Sequence, residues 1–409
     1  MKERNAAKGI WTKLAICTAG YGMMSDNVIF PLLNAIYNDF PDSSTFMQNF
    51  IVSGAGVFSI AFGLLSGLLM KKLGKKRLLV IGTIIFTVGG ILGYFSKSME
   101  FLAFTRLVDA ASDGILTAVT AVMIVDIWKD EKEQCSMISN YNLASCIFGI
   151  IMSISAGYLA LVNWRYAFLV NAISIISVVL CIFFVPDDDP ADSESRAAKS
   201  GAPTDGNALA GPEKGRTWIL VLGLLAYCIV QSANYMPSFL IDLLVAEKKL
   251  GNSVLSGYLT SILTAAGIIS FLTSAKAYNH FKNPHVFIGV ITAAITLELI
   301  LYGESNNAFL IGLVHFMNGF FGSWLLVYFE MFIAKNAPEK SRSIWMSAAT
   351  SMIYLDGLLA VYIPKIINAF AGDGTISRAA TISGYGVGLI AAVYIVICII
   401  ESRRTPAAV

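Results

Sequence analysis

Charge is what this sequence lacks most. Asp, Glu, Lys and Arg make up 14% of its 409 residues, whereas a soluble domain needs roughly 25% to keep its outside solvated. The net charge of +2 says nothing about partners, and no nucleic-acid partner is expected. The six cysteines (Cys17, Cys135, Cys146, Cys181, Cys228 and Cys398) lie in or beside apolar runs. They show neither metal-type spacing nor a compact disulfide framework, so they read as small packing residues. A Walker loop, a nucleotide-switch motif and a zinc-binding helix motif are all missing. ATP-driven transport within the chain is therefore not expected, and neither is a metal or other cofactor. No catalytic constellation stands out, so the chain is not read as an enzyme. The alternating ten-residue segments of a membrane barrel are also missing.

Apolar residues take the place of charge. They amount to 56% of the chain, with mean hydropathy +0.68, and they gather in runs of about 20, enough to cross about 30 Å of hydrocarbon as a helix. Backbone polar groups must satisfy one another in lipid, so such runs are helices. Twelve runs are read, over 10–36, 46–70, 78–96, 99–126, 135–161 and 164–185, then 217–245, 251–273, 284–303, 307–334, 343–370 and 379–400. The first is read as a retained span rather than a signal peptide, because no small-residue cleavage pattern follows it. Residues 186–216 are rich in Pro, Gly, Ser and charge and read as a flexible linker. The expected organisation is an N-terminal six-helix bundle (1–185), this cytoplasmic linker, and a C-terminal six-helix bundle (217–409).

Lys and Arg fix the orientation. Lys2, Arg4, Lys8, Lys71, Lys72, Lys75, Lys76, Arg77, Lys129, Lys132, Arg196, Lys335, Arg342, Arg403 and Arg404 all fall on one side of this threading. The other side holds only Lys97, Arg165, Lys248, Lys249 and Arg378. Both termini are expected to be cytoplasmic. A weak internal repeat relates the halves: Pro31 and Pro237 sit at like depths, 206 residues apart. Paired six-helix halves are a common transporter plan, with the solute site between them.

The loop between spans 2 and 3 reads Gly67-Leu68-Leu69-Met70-Lys71-Lys72-Leu73-Gly74-Lys75-Lys76-Arg77. Gly74 permits a tight turn, and the cations hold the loop at an anionic membrane face. A purely topogenic basic loop is the alternative. The segment resembles the loop signature of the major facilitator superfamily, matching by identity or charge at Gly67, Leu69, Lys72, Gly74, Lys75 and Lys76. Lys71 stands where the family has Asp, and it cannot accept hydrogen bonds, so the family's loop latch is not carried onto it. Trp164-Arg165-Tyr166-Ala167-Phe168-Leu169-Val170-Asn171 resembles the start of span 6 in the twelve-span drug:proton antiporters of that superfamily. Arg106 in span 4 is similar to their span-4 arginine. Their span-5 Gly-Pro motif is poorly kept at Met152-Ser153-Ile154-Ser155-Ala156-Gly157. The resemblance implies an all-α membrane protein with twelve transmembrane helices in two pseudo-symmetric six-helix bundles, the major facilitator fold. It also implies two rocking halves.

Ionisable residues inside a membrane are expensive and by default suggest function. Span 4 carries Arg106, Asp109 and Asp113, whose spacing places them on one helical face. Asp26 in span 1 lies at a depth like that of Asp109. A carboxyl group in a low-dielectric cavity can exchange a proton near working pH as its exposure alternates. By the antiporter resemblance, Asp26 is the proton carrier and Arg106 its modulator, with Asp109 and Asp113 completing a coupling set. A static Arg106–Asp109 ion pair is the competing reading. Tyr21 and Asn27 in span 1, Gln231, Asn234 and Tyr235 before Pro237 in span 7, and Asp356 in span 11 are candidate solute contacts. Asn318 and His315 are weaker ones. Glu298 and Asp242, near outer span ends, are expected to reach water, and Glu330 to pair with the inner basic loops.

The expected function is secondary transport of a small-molecule substrate, with protons as coupling ion, by a monomer in a bacterial cytoplasmic membrane. Proton-coupled efflux of small amphipathic or cationic compounds is the first reading. The excess of cavity acids over their one deep cation disfavours dianions, and an organophosphate carrier would need more buried Arg or Lys. A proton symporter importing a nutrient is the alternative. A lipid flippase or membrane sensor is the alternative of another class.

Overall fold

The computed structural model describes residues 9–54, 56–128, 130–187, 217–280, 284–336, 345, 352, 354–371 and 374–404. The expected linker lies outside these residues from 188 to 216, as do the side chains of Lys71 and Glu330. Among the described residues every regular element is a helix. The chain divides into two compact units, Met1–Ala210 with Ser253–Tyr258, and Gly211–Asn252 with Leu259–Val409.

Each of the twelve expected runs has a helical counterpart. In the first unit these are α1 (Ile10–Ala19), α2 (Asp26–Ile29), α3 (Leu33–Asp39), α4 (Thr45–Asn49), α5 (Gly56–Leu73), α6 (Lys75–Leu92), α7 (Met99–Ile127), α8 (Glu131–Ala160) and α9 (Ser174–Phe184). The rest are α10 (Thr217–Phe239), α11 (Ile241–Glu247), α12 (Ser253–His280), α13 (Pro284–Glu304), α14 (Ala308–Asn336), α15 (Ile363–Ala371) and α16 (Ile376–Arg404). Among the described residues nine helices are long and apolar enough to cross a membrane, or ten if Thr45–Gly54 and Gly56–Met70 form one bent span.

Several expected spans differ from the reading as single helices: 46–70 is divided by the wide turn Phe50–Gly54, and 164–185 opens with the tight turns Trp164–Ile173 before α9. The run 10–36 is broken into α1, α2 and α3, joined by tighter turns at Gly20–Met24 and Phe30–Leu32. Pro31 sits in the second of these turns, where its missing N–H and its ring disfavour a regular α turn. The run 217–245 contains Pro237 and is interrupted at Leu240, after which α11 resumes. Elsewhere polar caps set the boundaries. Ser98 accepts from the Phe101 amide at 3.2 Å to start α7, and Asp130 from the Glu133 amide at 3.2 Å to start α8. Each cap satisfies a donor that the helix itself cannot.

In the first unit α7 packs against both α5 and α6. At Gly114 a Cβ would fall 2.3 Å from the Ser59 carbonyl oxygen and 2.8 Å from the Gly63 nitrogen, so the α5 and α7 backbones touch there. Small residues permit this approach, and dispersion contacts then hold the pair in lipid. The α5–α6 connection is Gly74 alone, at φ 82°, where a side chain would be strained. In the second unit α13 packs against α14 and α16. Its core includes Tyr227 stacked on Phe329 with ring centroids 4.1 Å apart.

Charged side chains staple the helix ends. Arg165 bonds the Ser96 carbonyl at 2.6 Å and Asp39 at 2.7 Å, and its guanidinium lies 4.3 Å from the Trp164 ring centroid. Trp164 donates to the same carboxylate at 3.0 Å, which gives the Trp-Arg pair a structural use at this end of the first unit. Lys248 donates to the carbonyls of Gly303 (2.6 Å) and Ser305 (2.8 Å) at the C-terminal end of α13, where carbonyls lack helical partners. Burial holds this ammonium below the usual lysine value, against the opposing pull of Glu247 and Glu304. Glu247 accepts from the amides of Ile376 (2.7 Å) and Ser377 (3.0 Å), capping α16. Substituting Glu247→Ala strips both amides of their acceptor, at a cost of about 1–2 kcal/mol. Thermal unfolding in detergent should show a lower midpoint than wild type, and an unchanged midpoint would contradict the capping role.

Candidate functional site

The face of α7 that carries Arg106 and Asp109 is buried. The Arg106 side chain is 5% exposed and that of Asp109 is 6% exposed. A guanidinium cannot shed its charge, so an enclosed one needs acceptors on every side. Arg106 finds them on three elements. Its Nη1 donates to Asp109 Oδ2 at 3.0 Å, its Nη2 pairs with Asp26 Oδ1, and its Nε donates to the Ile51 carbonyl at 3.1 Å. Ile51 lies in the wide helical turn Phe50–Gly54 between α4 and α5. Turns wider than α free a carbonyl from the helical ladder and recur at functional sites.

Two carboxyl groups thus share one guanidinium. With both ionised, the cluster is short by one positive charge, which a proton or a cationic group can supply. The two acids differ in access: the Asp26 side chain is 47% exposed, while Asp109 is sealed. Asp109 Oδ1 has no hydrogen-bond partner among the described residues. Asp113 is half-buried one turn further along, and Thr117 on the same helix donates to it at 3.4 Å.

The other span-1 candidates turn inward. Tyr21 is 3% exposed and gives its hydroxyl to the Val170 carbonyl at 2.9 Å. Its ring packs on Phe86 and Phe148. Asn27 is buried beside Gly149 of α8.

In the second unit the polar candidates are neutral amides. Gln231 is fully buried, and neither end of its amide has a partner among the described residues. Asn234 lies one turn further on, and Tyr235 stacks on Phe239 at 5.4 Å. Asp356 is fully buried with the Cys228 thiol beside it as a weak donor.

Glu298 departs from the expectation of an acid reaching water: it is fully buried. Asn318 on α14 donates to Glu298 Oε1 at 2.9 Å and to the backbone and side-chain oxygens of Asn234 at 2.8 and 2.9 Å. Ser238 donates to Asn318 Oδ1. A second rung joins Tyr302 to His315 Nδ1. The sequence carries one sign of this seam. Glu298 and Tyr302 on α13, and His315 and Asn318 on α14, are each a helical turn apart, so two antiparallel helices can meet rung to rung.

The lysines of the loop between spans 2 and 3 lie at the ends of the helices. Lys75 pairs with Asp126 near the end of α7, and Lys76 lies 3.0 Å from Asp187. Asp187 is 89% exposed, so the second pair contributes little to stability. Lys72 is exposed, and a Cβ on Gly67 would meet nothing.

Long apolar helices, charges buried between them and a basic loop at their ends define a polytopic membrane protein. The chain matches the Major Facilitator Superfamily over residues 14–355 and belongs to it. It is 24% identical over 378 residues to the uncharacterized MFS-type transporter YubD of Bacillus subtilis (strain 168), covering 84% of this chain and 70% of that protein. The galactose-proton symporter of Escherichia coli (strain K12) is 32% identical over 144 residues, 34% of this chain and 30% of the symporter. Among solved structures, the D-xylose-proton symporter aligns with TM-score 0.71 at 14% identity, covering 93% of this chain and 96% of the symporter. The nucleoside transporter NupG aligns with TM-score 0.76 at 12% identity, covering 95% and 99%. These structural likenesses establish the all-α major facilitator fold, and the family makes the chain a secondary transporter in a membrane it crosses many times.

The Arg106 cluster gives a stability prediction. Arg106→Met leaves Asp109 enclosed without its cation and costs about 3–5 kcal/mol. Adding Asp109→Asn should restore much of that loss, as read from thermal unfolding in detergent. A double variant no more stable than Arg106→Met would contradict the pairing.

Proposed function

We propose that this chain is a proton-coupled secondary transporter that exports small amphipathic or cationic compounds, with Asp26 as its exchanging acid. The observation that carries this reading is the sharing of one buried guanidinium by two carboxyl groups of unequal exposure. When Asp26 binds a proton, the cluster is charge-balanced and Arg106 pairs with Asp109 alone. When the proton leaves, Arg106 is pulled between two carboxylates, one of them half-exposed. A cationic solute and a proton compete to make up the same deficit, which is the chemistry of antiport. Binding each at alternate times moves solute against the proton gradient, provided each shifts the balance between outward-open and inward-open forms. Asp109 and Asp113 serve as further acids of the coupling set. Gln231, Asn234, Tyr235 and Asp356 serve as solute contacts, whereas Tyr21 and Asn27, buried within the first unit, hold span 1 in place.

The reading extends to the whole molecule. Residues 1–185 and 217–409 act as rocking halves joined by a cytoplasmic linker, with Gly67, Lys72, Gly74, Lys75 and Lys76 closing the cytoplasmic side. Both termini are cytoplasmic, and the protein works as a monomer in a bacterial cytoplasmic membrane. A second reading, proton-driven import of a nutrient, draws support from the stretch of 32% identity to the galactose-proton symporter.

Direction of flux separates the two readings. In everted vesicles under an imposed pH gradient, export predicts accumulation of lipophilic cations such as ethidium, and Asp26→Asn should cut the initial rate about tenfold or more, corresponding to at least ~1.4 kcal/mol of lost coupling. Sugar-induced proton movement with no cation flux would instead favour import. Unchanged pH-driven flux in Asp26→Asn would end the role given to that acid.

A further inference from the structure

We infer that Glu298 is a second proton-binding site, built into the C-terminal unit and read by α10 through Asn318. The proposal goes beyond the coupling assigned to the first unit, and it stands whether or not Asp26 carries a proton. The carboxyl is fully buried in a membrane-spanning helix, and no salt bridge reaches it among the described residues. Its Oε1 receives one neutral hydrogen bond from Asn318, at 2.9 Å, and its Oε2 has no hydrogen-bond partner among the described residues.

A carboxylate enclosed with a single amide donor is a poor match for its surroundings, because an uncompensated buried charge costs far more than one neutral hydrogen bond returns. The neutral acid has no such deficit. Binding adds one H⁺ at the unoccupied oxygen and converts carboxylate to carboxyl, with no other bond made or broken.

The surroundings contain little else that titrates. Tyr302, one turn along α13, lies within electrostatic reach of Glu298 and bonds His315 Nδ1 of α14, while His315 Nε2 has no hydrogen-bond partner among the described residues. On α16, which packs along α13, the described titratable residues Arg378 and Tyr385 are exposed. On α10, Tyr227 and Tyr235 are stacked on Phe329 and Phe239. Asp242 on α11 and Asp356 are further buried acids of the unit, and Glu304 ends α13 itself.

The state of Glu298 has a route outward. Asn318 Nδ2 lies 2.8–2.9 Å from three oxygens, Glu298 Oε1 and both oxygens of Asn234, but it has only two hydrogens to give. A carboxylate claims one of these hydrogens more strongly than a neutral carboxyl does. Gain or loss of a proton at Glu298 therefore alters how firmly Asn318 holds Asn234 and Ser238, which flank Pro237 just before the break at Leu240.

The test is infrared spectroscopy of the full chain reconstituted in phosphatidylcholine vesicles, following the C=O stretch of protonated carboxyl groups across pH. One component present at neutral pH should vanish in Glu298→Gln, persist in Asp26→Asn, and shift in Asn318→Ala, which removes its donor. An unaltered band in Glu298→Gln overturns the inference, whatever the pH-driven flux does. Flux absent from the wild type with the Glu298 component intact overturns only the coupling proposed for Asp26. Should Glu298→Gln fail to fold, Glu298→Asp keeps an acid on a shorter stem and must move the component; an unmoved component contradicts the assignment.

Discussion

The need to neutralise one buried guanidinium organises the first unit. Arg106 cannot lose its charge, and in a low-dielectric interior it cannot do without acceptors. Its three donors draw together α7, the broken first span and the wide turn Phe50–Gly54. That explains why irregular backbone occurs where it does: departures from regular helix are tolerated at membrane depth when protein groups re-satisfy the freed polar atoms. The wide turn at Ile51 is such a departure, with its carbonyl taken up by Arg106 Nε, and in the same unit Gly114 lets the α5 and α7 backbones touch.

The second unit solves its polar problem without a comparable ion pair among the described residues. Amides and hydroxyls form its seam, through Asn234, Ser238 and Asn318, and the acids Glu298 and Asp356 are enclosed with few or no described donors. A neutral seam costs less to rearrange than an ion pair, because no charge has to be separated in a low dielectric. The two units therefore differ in chemistry: the first holds a buried ion cluster short of one positive charge, the second a set of buried neutral amides and hydroxyls bonded to one another.

Much of the fold was legible because lipid imposes one rule on every span: about 20 apolar residues closed as a helix. That rule found the helical runs and could not see their breaks. Pro31 and Pro237 were visible in the sequence, but whether a proline bends or interrupts a helix depends on which neighbours accept the freed groups. Spacing of three put Arg106 and Asp109 on one face, and comparable depth suggested Asp26 as their neighbour. Glu298 was misjudged because depth along a helix says nothing of the direction a residue faces. Its neighbours Leu297 and Leu299 offer no polar signal, and only packing against α14 puts Glu298 opposite Asn318. Tyr21 reads as polar in sequence, yet its hydroxyl is used up by a carbonyl on a distant segment.

The sharing of Arg106 between Asp26 and Asp109 is best tested by a double-mutant cycle joining Asp26→Asn and Arg106→Met, with stability read from unfolding of the purified protein at neutral pH. Shared charge predicts that the effect of Asp26→Asn changes by about 0.5–3 kcal/mol when Arg106 is already gone, the size expected for residues in one ion-pair network. Strictly additive effects would mean that Asp26 and Arg106 do not interact, and the charge balance on which the coupling rests would be absent.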